Sequence, residues 1–171
     1  MYVSGEVEIE DGIYAHPTVT VMGRVELGRD VNLWPGAVIR GDLEPVRIGR
    51  RTNVQDNVVI HTSPGYEVEI AKDVSIGHGA VIHGATIETD VLIGMNATVM
   101  NGVVIEECSV VAAGAVVTEG TEVKSYEVWA GVPAKRIGYL TEDRVEKLIR
   151  EPTRRYLKLA KKSLPRVEVN P

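Results

Sequence analysis

The chain has 171 residues and a mass of 18.6 kDa, the size of one domain. Its 19 Lys and Arg against 24 Asp and Glu leave a formal charge of -5, which argues against a nucleic-acid partner or an anionic membrane surface because nothing would neutralise phosphates. No apolar run approaches the ~18 residues of a membrane-spanning helix and the first residues lack a signal-peptide pattern, so the sequence reads as cytoplasmic.

The apolar set is unusual: no Phe, 5% aromatics, and 28 Val with 13 Ile against 9 Leu. Such a core suits thin layers of β-branched residues rather than a helical bundle or an ordinary sandwich. In chain order, an aliphatic residue recurs every six positions through Ile13, Val19, Val25, Val31 and Ala37. The register continues with small slips through Leu43, Ile48, Val54, Ile60, Ile70, Ile76 and Ile82. It then runs unbroken through Ile87, Ile93, Val99, Ile105, Val111, Val117, Val123 and Trp129. Six is neither the helical period nor that of a simple strand. It predicts an all-β parallel β-helix over residues 1–138, a triangular prism with one hexapeptide per face and three per coil. Bulky rings do not fit so narrow a core.

Gly131-Val132-Pro133-Ala134-Lys135 closes the stack, and residues 139–171 form a C-terminal α-helix packed along the prism within the same domain. Thr141 is its expected N-cap. Val145, Leu148, Ile149, Leu157, Ala160 and Leu164 form its apolar stripe, and Pro152 kinks or splits it. The basic run Arg154, Arg155, Lys158, Lys161 and Lys162 is a solvated face. A single Cys, Cys108, excludes an intrachain disulfide and a Cys-rich zinc site; it reads as a small buried apolar residue.

Of four histidines, His16 lies before Pro17 with no partner pattern, and three cluster as His61, His78 and His83. The period breaks between Ile60 and Ile70 by four extra residues, a loop containing Ser63, Pro64, Gly65 and Tyr66. With that loop removed, Ile60 and Ile82 are one coil apart, and His61 sits over His83 on strands ~4.8 Å apart, both pointing outward. His78 falls on the preceding face, around a corner, so a third imidazole would have to come from a neighbouring copy in a three-fold assembly. The same counting places Arg40, Asp42, Gln55, Asp56 and His78 on one stripe, and His61 with His83 on another. Three imidazoles without Cys suit Zn2+ with an open position for water, and Fe2+ or Co2+ would accept the same nitrogens.

Arg40-Gly41-Asp42, Asn53-Val54-Gln55-Asp56-Asn57, His61-Thr62, and Gly77-His78 through His83-Gly84 together resemble the γ-class carbonic anhydrases, and the resemblance covers nearly the whole chain. It is most like the short archaeal and bacterial members. The resemblance implies a left-handed β-helix and a homotrimer holding its metal between chains by His61 and His83 of one and His78 of the next. It implies reversible hydration of CO2 to bicarbonate by a metal-bound hydroxide. Gln55 would orient that hydroxide, Arg40 and Asp42 would pair at the interface with Arg40 near bicarbonate, Asp56 would be an outer acid, and Tyr156 would reach the mouth of the site. Two features depart from the family. Leu43 stands where its best-studied members carry an acid, and Ser63 to Glu69 replaces a long acidic loop that exports protons. Glu44, Glu67 and Glu69 are the candidate substitutes. The hexapeptide scaffold is also used by acyltransferases and thioesterases acting on CoA substrates, and a trimeric relative with little or no activity is the third reading.

Overall fold

The structure is a computed structural model that describes residues 1–167. Parallel strands, most of two or three residues with longer ones at Thr20–Leu27 and Val38–Ile48, stack into a left-handed β-helix of about seven turns. One C-terminal helix follows and ends at Ser163; where the spacing predicts that it continues, Arg166–Val167 is instead a strand paired antiparallel with Ile13–Tyr14. Each face is a ladder. The first carries Asn32, Asn53, Ser75, Leu92, Val110 and Val128 in register. The second carries Val38, Val59, Val81, Thr98 and Val116; the third carries Arg47, Glu69, Thr86, Val104 and Glu122. The residue after each rung points inward. Leu33, Val54, Ile76, Ile93 and Val111 fill the axis from the first face, Ile39, Ile60, Ile82, Val99 and Val117 from the second, all fully buried. β-branched side chains on pleated strands make this core about one side chain deep, which accounts for the missing Phe.

The corners require left-handed backbone. At the corner between the first and second faces the chain alternates Gly36, Asn57, Gly79, Asn96 and Gly114, all with positive φ. The alternation is steric: a Cβ on Gly36 would stand 2.3 Å from the Asn57 amide oxygen, and a Cβ on Gly79 2.3 Å from that of Asn96. Each Asn fills the space that the glycine on its neighbouring coil leaves open.

From Ile48 onward the inward positions match the hexapeptide register. Upstream, the rungs that stack on Val54, Ile60 and Ile48 are Leu33, Ile39 and Leu27, two residues after Val31, Ala37 and Val25 of the register, which are buried beside them. Leu43 is 46% exposed, and the strand Val38–Ile48 instead buries Ile39 and Val46. Gly23 pairs with Gly41 and Val25 with Val46, so Arg24 alone faces residues 42–45, which bulge out of the ladder.

The C-terminal helix is capped as expected, the Thr141 hydroxyl accepting the Arg144 backbone N–H. It runs as α-helix Glu142–Val145, a wider π turn Glu146–Arg150, and α-helix Glu151–Ser163. Pro152 sits in the first turn of the last segment, and the π turn before it absorbs the missing N–H. The widened turn also shifts the buried stripe to Val145, Ile149, Thr153 and Ala160, leaving Leu148 44% exposed where the spacing places it inside. Val145 and Ile149 pack with Cys108 and Leu140 against Leu92, Val110 and Val128 of the first face.

The last coil is closed by the strands Glu127–Gly131 and Ala134–Tyr139, which pair antiparallel. Glu127 is its buried anchor, accepting from Trp129 Nε1 at 2.7 Å, Arg136 at 3.0 Å and the Lys124 backbone N–H at 3.0 Å. Burial pushes its carboxyl up, but these donors outweigh burial and hold it below the usual carboxylate range. A carboxylate whose pKa is lowered by folding stabilises above its unfolded pKa of ~4.3, and that stabilisation is lost as pH falls through the folded value. Thermal unfolding of Glu127→Gln should therefore show a loss of about 1–3 kcal/mol at pH 7, shrinking as pH falls below the unfolded value and through the lowered folded one.

Candidate metal centre

In the second face, Val59–His61 lies parallel to Val81–His83 with His61 paired to His83, and Arg40 on the neighbouring strand pairs with His61. Because Ile60 and Ile82 point inward, both imidazoles project outward. Their ring centroids are 5.1 Å apart, and His61 Nδ1 stands 3.1 Å from His83 Nε2.

The far side of each ring decides what can stand between those nitrogens. His61 Nε2 lies 3.0 Å from Asp42 Oδ1, while Arg40 donates to the other carboxylate oxygen at 2.5 Å. The Arg40 guanidinium holds the Asp42 carboxyl below the usual range despite some cost of burial, with His61 adding to the effect. An ionised carboxylate only accepts, so His61 Nε2 carries the hydrogen. His83 Nδ1 lies 2.8 Å from Asn101 Oδ1, and the Asn101 amide nitrogen donates to Glu119 at 3.3 Å. His83 Nδ1 is thereby the donor. Two neutral rings held this way turn lone pairs toward one another across 3.1 Å, an arrangement that only a cation between them, a proton or a metal ion, relieves. Nitrogens ~2.1 Å from a tetrahedral Zn2+ are ~3.4 Å apart, so this pair fits two positions around such an ion.

His78 is on the neighbouring face, one rung above Asp56. Its Nδ1 lies 2.7 Å from Asp56 Oδ2, which leaves the lone pair on Nε2. The Tyr156 hydroxyl donates to that Nε2 at 3.2 Å, and the Tyr156 ring stands edge-on to Trp34 with centroids 5.4 Å apart. Burial pushes the Tyr156 phenol above its ordinary value, and the nearby Asp56 charge adds to this. Gln55, beside Asp56, is 6% exposed and donates to Asn53 Oδ1 at 2.9 Å. Among the described residues of one chain, no three of His, Cys, Asp or Glu come together in a geometry that could hold a metal.

One placement read from the spacing is overturned. Arg40 and Asp42 do not share a stripe with Gln55, Asp56 and His78; they belong to the ladder of His61 and His83. The hexapeptide count runs through Ala37 and Leu43, whereas the ladder puts Leu33 and Ile39 inward and Arg40 beneath His61, and the bulge at residues 42–45 brings the count back into phase at Ile48. The three acids near the short loop are all engaged. Arg47 binds both Glu67 and Glu69, and Glu44 accepts the Gly65 N–H at 3.0 Å while facing Arg24 at 3.8 Å. His16 makes a turn contact with Thr18 at 2.8 Å.

Two polar residues of the site escape the sequence reading. Asn101 lies eighteen positions after His83, one coil on, so counting coils outward from each histidine would have found it. Thr153 sits in the helical stripe, where periodicity seeks apolar residues.

The family described as "Bacterial transferase hexapeptide (six repeats)" matches residues 84–119. The chain is 45% identical over 140 residues to a probable carbonic anhydrase of Methanocaldococcus jannaschii, covering 82% of this chain and 87% of that one. It is 36% identical over 174 residues to the mitochondrial γ carbonic anhydrase 2 of Arabidopsis thaliana, covering 94% of this chain and 62% of that one. A solved hexapeptide transferase family protein from Anaplasma phagocytophilum superposes with a TM-score of 0.89 at 34% identity, over 95% of this chain and 97% of that one. The chain spans 52–62% of the length of the plant and Dictyostelium relatives it matches. No helix among the described residues is long and apolar enough to cross a membrane.

Proposed function

The chain belongs to the γ-class carbonic anhydrase family, and on that premise we propose that it hydrates CO2 reversibly to bicarbonate at a metal site shared between copies of a homotrimer. The observation that carries this reading is the 3.1 Å approach of His61 Nδ1 to His83 Nε2, with the other nitrogen of each ring held by Asp42 and Asn101. His61 and His83 would hold the ion from one chain, and His78 Nε2 from the next would complete the set. Zn2+ fits these donors, as do Fe2+ and Co2+. When bound, such an ion supplies the Lewis acidity that makes water a nucleophile near neutral pH.

The remaining roles belong to the chain's own side chains. Asp42 and Asn101 fix the rings of His61 and His83 from behind, and Asp56 does the same for His78. In the single chain Tyr156 covers His78 Nε2, so completing the site requires that hydroxyl to turn away. Arg40 keeps its charge beside His61, where it attracts an anionic product while Asp42 holds it in place. Gln55 orients the reacting water.

The engaged state of Glu44, Glu67 and Glu69 has a kinetic consequence. With no free carboxylate in this short loop, proton export falls to the solvent, and turnover is expected to rise with buffer concentration at constant pH and ionic strength. Stopped-flow CO2 hydration over a tenfold range of imidazole measures this, and a flat response would reveal an internal carrier.

Metal content, light scattering and CO2 hydration on the same preparation test the reading as a whole. One ion per chain in a trimer without measurable hydration would sink it. In that case the other chemistry this scaffold is read to carry, on a CoA thioester, would be favoured, and a panel of acyl-CoA substrates would detect it.

A further inference from the structure

Buried polar side chains run from the C-terminal helix to Gln55, and their donor directions are fixed from one end. Thr153 Oγ1 lies 2.7 Å from the Ile149 carbonyl, which only accepts, so the single hydroxyl hydrogen of Thr153 is committed there. The 2.7 Å contact between Thr153 and Ser75 must then be donated by Ser75. With its own hydrogen used, Ser75 Oγ accepts from Asn53 Nδ2 at 2.7 Å, and the other hydrogen of that amide faces the Val74 carbonyl at 3.4 Å. Asn53 therefore turns Oδ1 toward Gln55, whose Nε2 donates to it at 2.9 Å. Gln55 is left with its carbonyl oxygen as the free end.

We propose that Thr153 is a positioning residue that, through Ser75 and Asn53, fixes the Gln55 amide so that Oε1 and not Nε2 is available to the site. Asn53, Ser75 and Thr153 are all at most 3% exposed, so water has little access to reverse the chain of donors. The π turn matters here. It brings Thr153 into the buried stripe with Ile149 one turn before it, opposite Ser75. Without the Thr153 hydroxyl, Ser75 is free to donate to Asn53, the Asn53 amide can turn over, and Gln55 can present either end. The orientation stands on geometry alone. Its effect on turnover rests on the carbonic anhydrase reading, in which Oε1 accepts the O–H of the reacting water and an N–H in its place would meet that hydrogen head-on.

The test uses the full chain with 15N-labelled Asn and Gln side chains, the Gln55 amide being identified by its absence in Gln55→Glu. Thr153→Val keeps the side-chain shape and removes the hydroxyl. It is expected to speed hydrogen exchange of the Gln55 amide about fivefold and to lower turnover by a similar factor, with metal content and KM unchanged. Thr153→Ser should restore both. Ser75→Ala cuts the same chain from the prism side and should repeat the Thr153→Val pattern even if the valine loosens the helix. An unchanged Gln55 amide in both Thr153→Val and Ser75→Ala would overturn the proposal. A protected Gln55 amide that loses protection in both variants, in a wild-type protein that hydrates no CO2, would uphold the orientation and reject the functional reading by itself.

Discussion

His78→Ala and His83→Ala should each abolish metal binding and CO2 hydration, and an equimolar mixture of the two, unfolded and refolded together, should regain about one quarter of the wild-type sites. The fraction follows from the division of donors between faces. His61 pairs with His83 on one ladder, and His78 stands on the next with Asp56. An interface in a mixed trimer is complete only where the clamp comes from the His78→Ala chain and the third imidazole from the His83→Ala chain. Random assembly gives that combination in about one interface of four. Each single loss should exceed the 10–100-fold weakening that follows removal of a group merely supporting a ligand. Metal analysis after gel filtration, with stopped-flow hydration on the same fractions, reads both quantities. A mixture no more active than its parents would mean that each site is built within one chain.

The second large effect is on stability. Ile82 is fully buried between Ile60 and Val99 on the axis of the second face, adjacent to His83. Ile82→Ala should cost about 2–5 kcal/mol, because a core one side chain deep has little freedom to collapse around the void. For a chain of this length each kcal/mol lowers Tm by roughly 2–4 °C, so a fall of about 4–20 °C is expected. Leu148→Ala provides the contrast. The sequence stripe puts Leu148 inside, the π turn puts it in solvent, and its removal should cost less than about 0.5 kcal/mol. Equal losses at the two positions would contradict the helix phase described above.

What the sequence made legible is what repeats. The hexapeptide period alone gave the prism, and removing residues 63–66 from the count was enough to set His61 on His83, the pairing found in the ladder. A periodic count has no means of telling a slipped register from an excised loop. At residues 42–45 an apolar residue, Leu43, stood where the period asked for one, and the bulge behind it went unseen until backbone pairing placed Ile39 inward. The error moved Arg40 and Asp42 to the wrong face. The helix failed in the same way: a single wide turn advanced its phase, so Thr153 replaced Leu148 on the buried side. Polar ladders are the other blind spot. Asn53 and Ser75 occupy outward positions that would face solvent in an uncovered prism, and only the helix lying over them makes them interior.

The stacked ladder also acts as a ruler with fixed graduations. Backbone hydrogen bonds lock neighbouring rungs ~4.8 Å apart, so the separation of His61 from His83 cannot drift by a few tenths of an ångström as it could between two loops. Any change of grip must come as a whole step, by exchanging the residue on a rung, or from the parts that are not graduated: the carboxylate and amide behind each ring, and the bulge that carries Asp42. Diversification of such a centre is therefore expected to be digital along the prism axis and continuous only at its corners.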